Sequence, residues 1–197
     1  QGWDEMRKNP PRKAVVVGAG PSIDLHARLL RRVTASGDRN DGQRPLLVAL
    51  DTALPSLAER EIPVDIVIAM DGQLANTTDL VPFRWDHTIL LADATVHPTV
   101  PRMFAPSRRF FFVTRFSDNS LFRRNTINPD FEHQDRTHSA SPLHDSRLPI
   151  SFVPAPWIPV VPPRGSIAPT AVEVLSQLVG IKDIVTVGID FYYRLPK

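Results

Sequence analysis

The chain has 197 residues, 42% of them apolar and 22% charged, with 20 Pro and no Cys. That length suits one large domain burying roughly two-thirds of its unfolded surface, and the missing cysteines exclude a disulfide framework, a thiolate nucleophile and the usual Cys-rich zinc site. The 23 Lys+Arg and 21 Asp+Glu leave a formal charge of +2; the positive charge is scattered in pairs such as Arg31-Arg32, Arg108-Arg109 and Arg123-Arg124, without the basic stripe of a nucleic-acid binder.

Residues 1–12 read as a polar lead-in closed by Pro10-Pro11, with no basic segment followed by an apolar stretch as in a signal peptide. No apolar run approaches the roughly 18 residues that suggest a membrane span; the absence of Cys leaves the redox compartment open, and the nucleotide reading below favours the cytoplasm. A chain that opens with Gln1 and stops at Leu195-Pro196-Lys197, just after an apolar strand, reads as part of something longer. Residues 13–197 are expected to form one domain.

Ala14 to Val17 form a continuous apolar run, as a strand buried on both faces of a parallel sheet requires. Gly18-Ala19-Gly20-Pro21-Ser22 breaks that strand, and Ile23, Leu25, Leu29, Leu30 and Val33 then recur with helical spacing. A loop over 35–44 leads to a second strand at 46–50 that ends at Asp51, followed by a short helix over 53–60. A third apolar run at 66–70 is closed by Asp71 and Gly72, and further strands are predicted at 88–92 and 110–114. Strands at this spacing with helical or loop crossovers predict an α/β fold: a Rossmann-like, doubly wound, mostly parallel sheet.

From 117 to 151 the composition turns to Asn, Asp, Arg, His and Ser, which reads as a polar insertion or lid. The Pro-rich stretch 153–163 is extended and cannot be a central strand throughout. Gly165-Ser166 then opens a helix with Pro169 in its first turn, Gly180 ends it, and a last strand at 184–187 is followed by Gly188-Ile189-Asp190-Phe191-Tyr192-Tyr193.

Ligands of open parallel sheets bind beyond the carboxyl ends of the strands. Gly18 to Ser22, Asp51, Asp71 and Asp190 all fall there by strand order. A phosphate at the first loop would meet free backbone N–H groups and the positive end of the helix dipole, with Gly18 and Gly20 allowing close approach and Ser22 adding a hydroxyl. Alternatively the glycines only make a tight turn. The loop lacks the third Gly of a dinucleotide fingerprint and the Gly-Lys-Ser/Thr of a P-loop, which demotes dehydrogenase and P-loop ATPase readings. Asp51, Asp71 and Asp190 could bind ribose hydroxyls, hold a divalent metal through water, orient an attacking group, or cap the helices that follow. Gly165-Ser166 offers a second helix start that suits an anion or serves as a cap. None of the six His has the His-Glu-x-x-His spacing of a helical zinc site, and no protein metal site is expected.

Taken together, these motifs resemble the motility accessory factor family. They are Val-Gly-Ala-Gly-Pro-Ser-Ile-Asp at 17–24, Asp51-Thr52-Ala53-Leu54, Ile62-Pro63-Val64-Asp65 before the strand ending at Asp71, Gly165-Ser166, and Val187-Gly188-Ile189-Asp190-Phe191. That family shares its domain with archaeal 6-hydroxymethylpterin pyrophosphokinase, MptE-like proteins, and is similar in fold to bacterial lipooligosaccharide sialyltransferases. The resemblance implies a transferase that moves a nonulosonic, sialic-type acid from a CMP-sugar to a protein acceptor such as flagellin. It also implies that Gly18, Ala19, Gly20, Pro21, Ser22 and Ser166, with Gly165 beside it, grip the nucleotide. Asp51, Thr52, Asp71 and Asp190 would line its pocket, and Tyr192 or Tyr193 would face the leaving phosphate. No general base is assigned, and no cofactor beyond the CMP-sugar donor is implied. Two alternatives remain: Mg-dependent pyrophosphoryl transfer from ATP to a pterin alcohol, with Asp51, Asp71 and Asp190 on the metal, and a non-catalytic nucleotide-binding domain.

Overall fold

The computed structural model describes residues 13–35, 44–81, 85–114 and 158–190, all within one compact unit. The predicted lead-in, the polar insertion at 117–151 and residues 191–197 lie outside the described residues.

Seven strands form one sheet: β1 (Lys13–Val17), β2 (Leu46–Leu50), β3 (Ile66–Ala69), β4 (Ile89–Asp93), β5 (Arg109–Thr114), β6 (Val160–Val161) and β7 (Asp183–Val187). Their spatial order is β6-β5-β4-β3-β2-β1-β7, and every pairing is parallel. The helices are α1 (Ser22–Ala35), α2 (Leu54–Glu59), α3 (Thr99–Arg102) and α4 (Ile167–Val174). This is the Rossmann-like α/β architecture read from the sequence.

Side chains of successive strand residues point to opposite faces, and both faces are covered. One layer of core joins Val17, Leu47, Ala49, Val67, Leu90 and Ala92 to Ile23 and Leu30 of α1, Leu54 and Leu57 of α2, and Phe104. The other joins Val16, Val48, Leu50, Ile66, Ile68 and Leu91 to Ala168, Ala171 and Val174 of α4. Burial on both sides explains why these strands read as unbroken apolar runs rather than alternating ones. The α1 face differs from expectation: Ile23 and Leu30 are buried, but Leu25 is 67% and Leu29 56% exposed. The helical repeat places those two leucines on the side away from the sheet.

From β1 the strands march one way to β6, and the chain then returns through α4 to lay β7 on the other side of β1. The strand order therefore reverses between β1 and β7, which is where open α/β sheets form their ligand crevice. Among the features that escaped the sequence reading are β6, the 3-10 segment Leu74–Leu80, the short α3, and a π-helical last turn at Leu175–Val179. Val160-Val161 sits in the Pro-rich stretch and pairs with β5 at the sheet edge, a place that tolerates prolines nearby. Gly180 ends the α4 segment in the left-handed conformation, φ 85°, as its identity suggested.

At the opposite, amino-terminal edge, Asp65 is buried. Its Oδ1 accepts from Arg44 Nη2 at 2.7 Å and its Oδ2 from the Leu47 N–H at 2.9 Å, tying the starts of β2 and β3 together. The Asp of the Ile62-Pro63-Val64-Asp65 motif thus has a structural task, remote from the carboxyl edge. Among the described residues, no helix is long and apolar enough to cross a membrane.

Candidate functional site

A cleft of about 350 Å³ opens at the carboxyl edge of the sheet, over the reversal between β1 and β7. Gly18, Ala19 and Gly20 form one wall, Ser166, Ile167 and Ala168 another, and Leu50, Thr52, Gly188, Ile189 and Asp190 complete the lining. Four separate stretches of sequence meet here because parallel strands deliver all their exits to one edge. Among the described residues of the lining, the one formal charge is the carboxylate of Asp190; the other side chains are apolar or hydroxylated.

Most N–H groups of the glycine loop are already engaged. Gly18 donates to the Val187 carbonyl at 2.8 Å and Gly20 to the Gly188 carbonyl at 2.6 Å. The Ser22 N–H donates to Asp190 Oδ2 at 2.8 Å, while Ser22 Oγ accepts from the Gly188 N–H at 2.8 Å. The next two amides of α1, Ile23 and Asp24, donate to the carbonyls of Gly20 and Pro21, and Pro21 has no N–H to offer. Of the free amides expected at 18–22, those of Gly18, Gly20 and Ser22 are therefore not free: the end of β7 and the loop after it have taken them, while the Ala19 amide has no partner among the described residues. The glycines have a direct reason in the same contact. A Cβ on Gly18 would stand 2.6 Å from the Gly188 oxygen, and one on Gly20 would meet that oxygen at 2.7 Å and collide with the Asp190 carboxylate. Close approach is indeed what these glycines permit, but the approaching group is protein backbone.

The start of α4 is arranged differently. Ser166 precedes it in an extended conformation, φ −149° and ψ 169°, without a side-chain cap. The loop ahead of it is fixed by Thr170, whose Oγ1 accepts from the Arg164 N–H at 3.2 Å and whose hydroxyl donates to the Ser166 carbonyl at 2.8 Å. The Ile167 and Ala168 N–H groups find no hydrogen-bond partner among the described residues, as first-turn amides do unless something caps them. Both residues line the cleft, so this helix end presents its donors and the positive end of its dipole there. Gly165, with φ 83° and open space around it, makes the turn into this end.

The predicted carboxylates divide. Asp190 lines the cleft, whereas Asp51 and Asp71 stand at the ends of β2 and β3 outside its lining. Asp51 is 3% exposed, and burial pushes its carboxyl up from 3.8 to about 6; hydrogen bonds from the Thr52 and Met70 amides pull the other way, and the neighbouring Asp71 and Asp79 charges push it up further. Asp71 accepts from the Gln73 N–H at 2.9 Å and from Asn76 Nδ2 at 2.6 Å, which makes it the organiser of the loop after β3. A fourth strand-end acid, Asp93 of β4, was not singled out from the sequence, although Leu-Leu-Ala-Asp at 90–93 repeats the pattern of an apolar run closed by an acid. It is buried. One oxygen accepts from the Thr95 amide and hydroxyl, the other from the Thr114 amide and hydroxyl, so it fastens β4 to the end of β5. Among the described residues, no three acidic or histidine side chains converge as a metal site would need.

Of the residues proposed from the sequence, the fold gathers Gly18, Ala19, Gly20, Thr52, Ser166 and Asp190 around one cleft. Gly165, Pro21 and Ser22 adjoin it in sequence, and Asp51 lies directly behind Thr52, whose N–H it accepts at 2.8 Å. Tyr192 and Tyr193 lie outside the described residues. Ile167, Ala168, Gly188 and Ile189 join the lining without having been proposed as nucleotide-binding. Their contribution includes backbone amides and apolar surface, which residue type does not advertise.

Comparison with known proteins gives two matches. The family model described as 6-hydroxymethylpterin diphosphokinase MptE-like matches residues 4–143. Among solved structures, the fold is similar to that of the MAf glycosyltransferase from Magnetospirillum magneticum AMB-1, with a TM-score of 0.55 at 17% identity over 94% of this chain and 24% of that protein. The chain thus spans about a quarter of the length of that structure. No curated protein sequence matches it.

Proposed function

The chain belongs to the 6-hydroxymethylpterin diphosphokinase MptE-like family, and we propose that within it this domain is a glycosyltransferase that takes a sugar from a nucleotide carrying a single phosphate, a CMP-activated sialic-type acid, and passes it to a protein hydroxyl such as that of flagellin. The observation that carries this reading is the cleft at the strand reversal, where, among the described residues, the Ile167 and Ala168 amides of the α4 end have no partner and the lining holds no cationic side chain. A nucleoside with one phosphate matches that supply of donors. A triphosphate carries far more charge than two amides and a helix dipole offset.

The same geometry favours the bond that must break. When the anomeric carbon leaves the phosphate oxygen, the phosphodiester monoanion becomes a monoester that gains negative charge on that oxygen. Fixed N–H donors aimed at the oxygen stabilise the developing charge more than the ground state, which is the requirement for catalysis. Thr52 and Ser166 supply hydroxyls for positioning, and Leu50, Ile167 and Ile189 supply an apolar surface for the base or sugar ring.

The family description itself favours a second reading, Mg-dependent diphosphate transfer from ATP to a pterin alcohol. Its metal would need Asp51, Asp71 and Asp190 together. Asp71 is committed to Gln73 and Asn76, Asp190 to Ser22, and Asp51 is buried behind Thr52, so these residues do not fit a shared ion. Calorimetric titration of the chain with CMP, a CMP-sialic acid and ATP with Mg²⁺ separates the readings. Metal-independent binding of CMP and its sugar supports glycosyl transfer, metal-dependent ATP binding in preference to CMP supports the diphosphokinase, and binding of none sinks both.

A further inference from the structure

The position that a nucleotide phosphate would occupy in front of a glycine loop and helix start is here filled by the protein's own carboxylate. Asp190 Oδ2 receives the Ser22 N–H at 2.8 Å, and the Ser22 hydroxyl oxygen receives the Gly188 N–H at 2.8 Å, so the two loops grip each other reciprocally. The Gly18 and Gly20 amides are consumed by the Val187 and Gly188 carbonyls. A second anion at this end would find, among the described residues, no unshared backbone donor of the loop other than the Ala19 amide, and it would face the negative charge of Asp190. At the other end of the same cleft, the Ile167 and Ala168 amides have no partner among the described residues.

We propose that Asp190 is a specificity residue: a resident anion that closes the glycine loop to phosphate and so directs the charged group of the ligand to the α4 end. The inference rests on the nucleotide reading of the cleft, and it reverses the role that the loop's sequence suggests. The ligand is oriented by exclusion at one end and by attraction at the other. Hydrogen-bond donors of the ligand, such as ribose hydroxyls, are tolerated beside Asp190 where a phosphate is not, because a carboxylate only accepts.

Amide shift mapping on the ¹⁵N-labelled chain tests this with two probes, CMP and inorganic phosphate. In the wild-type chain, CMP should move the Ile167 and Ala168 amides more strongly than Gly20 and Ser22, and phosphate should leave Gly20 and Ser22 in place. Asp190→Ala should gain a phosphate response at Ser22 and Ala19, with affinity about tenfold above wild type, the size expected for removing an anion from a helix start. Asp190→Asn keeps an acceptor for Ser22 while removing the charge. It should show a smaller gain in the same direction, and it carries the test if the alanine variant does not fold. A merely structural Asp190 would give variants that lose stability without gaining phosphate affinity, and that result overturns the proposal. So does a wild-type chain in which phosphate or CMP moves Ser22 and Gly20 as strongly as Ile167 and Ala168. If CMP moves no amide at either end, the nucleotide reading falls, while exclusion of phosphate by Asp190 is still decided by the phosphate arm.

Discussion

Two helix starts face one cleft, and they are finished in opposite ways. At α1 the amides of Gly18, Gly20 and Ser22 are bound by the loop that follows β7, and the negative charge that suits a helix start is supplied internally by Asp190. At α4 the Ile167 and Ala168 amides are left open and uncapped among the described residues. The closed end is rigid and contributes to stability, because its bonds join segments from the two ends of the sequence. The open end has donors without partners, which costs the fold something and is useful only where a ligand arrives. A glycine-rich loop is thus a reason to look for close approach; what approaches must be read from the structure.

Glycine substitutions should divide the two ends most sharply. Gly188 has φ 72°, and an added Cβ would collide with the Gly18 carbonyl and meet Ile23 Cγ1 at 2.9 Å. Left-handed backbone costs an L-residue about 1–2 kcal/mol, and the backbone collision adds to it, so Gly188→Ala should lose about 3 kcal/mol or more in urea unfolding. Gly165 has φ 83° but nothing within 4 Å of its added Cβ. Gly165→Ala should lose only about 1 kcal/mol. Equal losses at the two sites would mean that the α1 end is not held shut as described.

Much of this architecture was legible because parallel strands buried on both faces carry continuous apolar runs, and because acids close several of them. Asp51, Asp71 and Asp190 could therefore be placed at one edge before any coordinates. Which of them meets the cleft could not, since the Ser22–Asp190 contact spans 168 positions and leaves no local mark. The same holds for Asp65 with Arg44, where a motif residue anchors the far edge of the sheet. Helical spacing revealed α1 but not its faces: Leu25 and Leu29 fit the spacing although both are exposed. At β6 a two-residue strand among prolines is too short to carry a pattern, and only pairing with β5 defines it.

Asp51 provides a contrast within the carboxylates, since it is buried at the start of the 3-10 turn that leads into α2 and outside the lining of the cleft. Its folded carboxyl titrates near 6 against an ordinary 3.8 because burial disfavours the ion. The folded chain therefore holds this proton more tightly than the unfolded chain. The associated stability is fully present below about pH 4 and is lost as pH rises through about 6, a change of up to about 3 kcal/mol. Asp51→Asn should match wild type within about 1 kcal/mol at pH 4 and exceed it by about 2 kcal/mol at pH 7.5, less than the full change because one amide acceptor is lost. Denaturant midpoints across pH would register this as a slope between pH 4 and 6 in wild type that the variant lacks; parallel curves would mean that Asp51 is well solvated.

The finest test exchanges stability against affinity at the two helix starts. Ile167→Pro deletes one open amide, at the first helical position where proline is tolerated, and Ser166 already has the extended backbone that must precede it. No existing hydrogen bond from the Ile167 N–H is lost, so the stability change should be about 1 kcal/mol, from the smaller side chain. CMP affinity should fall about tenfold, the worth of one hydrogen bond to a charged group. Ser22→Ala does the reverse: it removes the acceptor for the Gly188 N–H, which should destabilise by about 1 kcal/mol and leave CMP affinity unchanged. Paired urea melts and CMP titrations on the two variants would show opposite signatures if the open end receives the phosphate. If Ser22→Ala weakens CMP binding and Ile167→Pro does not, the ends have exchanged roles and the phosphate belongs to the glycine loop after all.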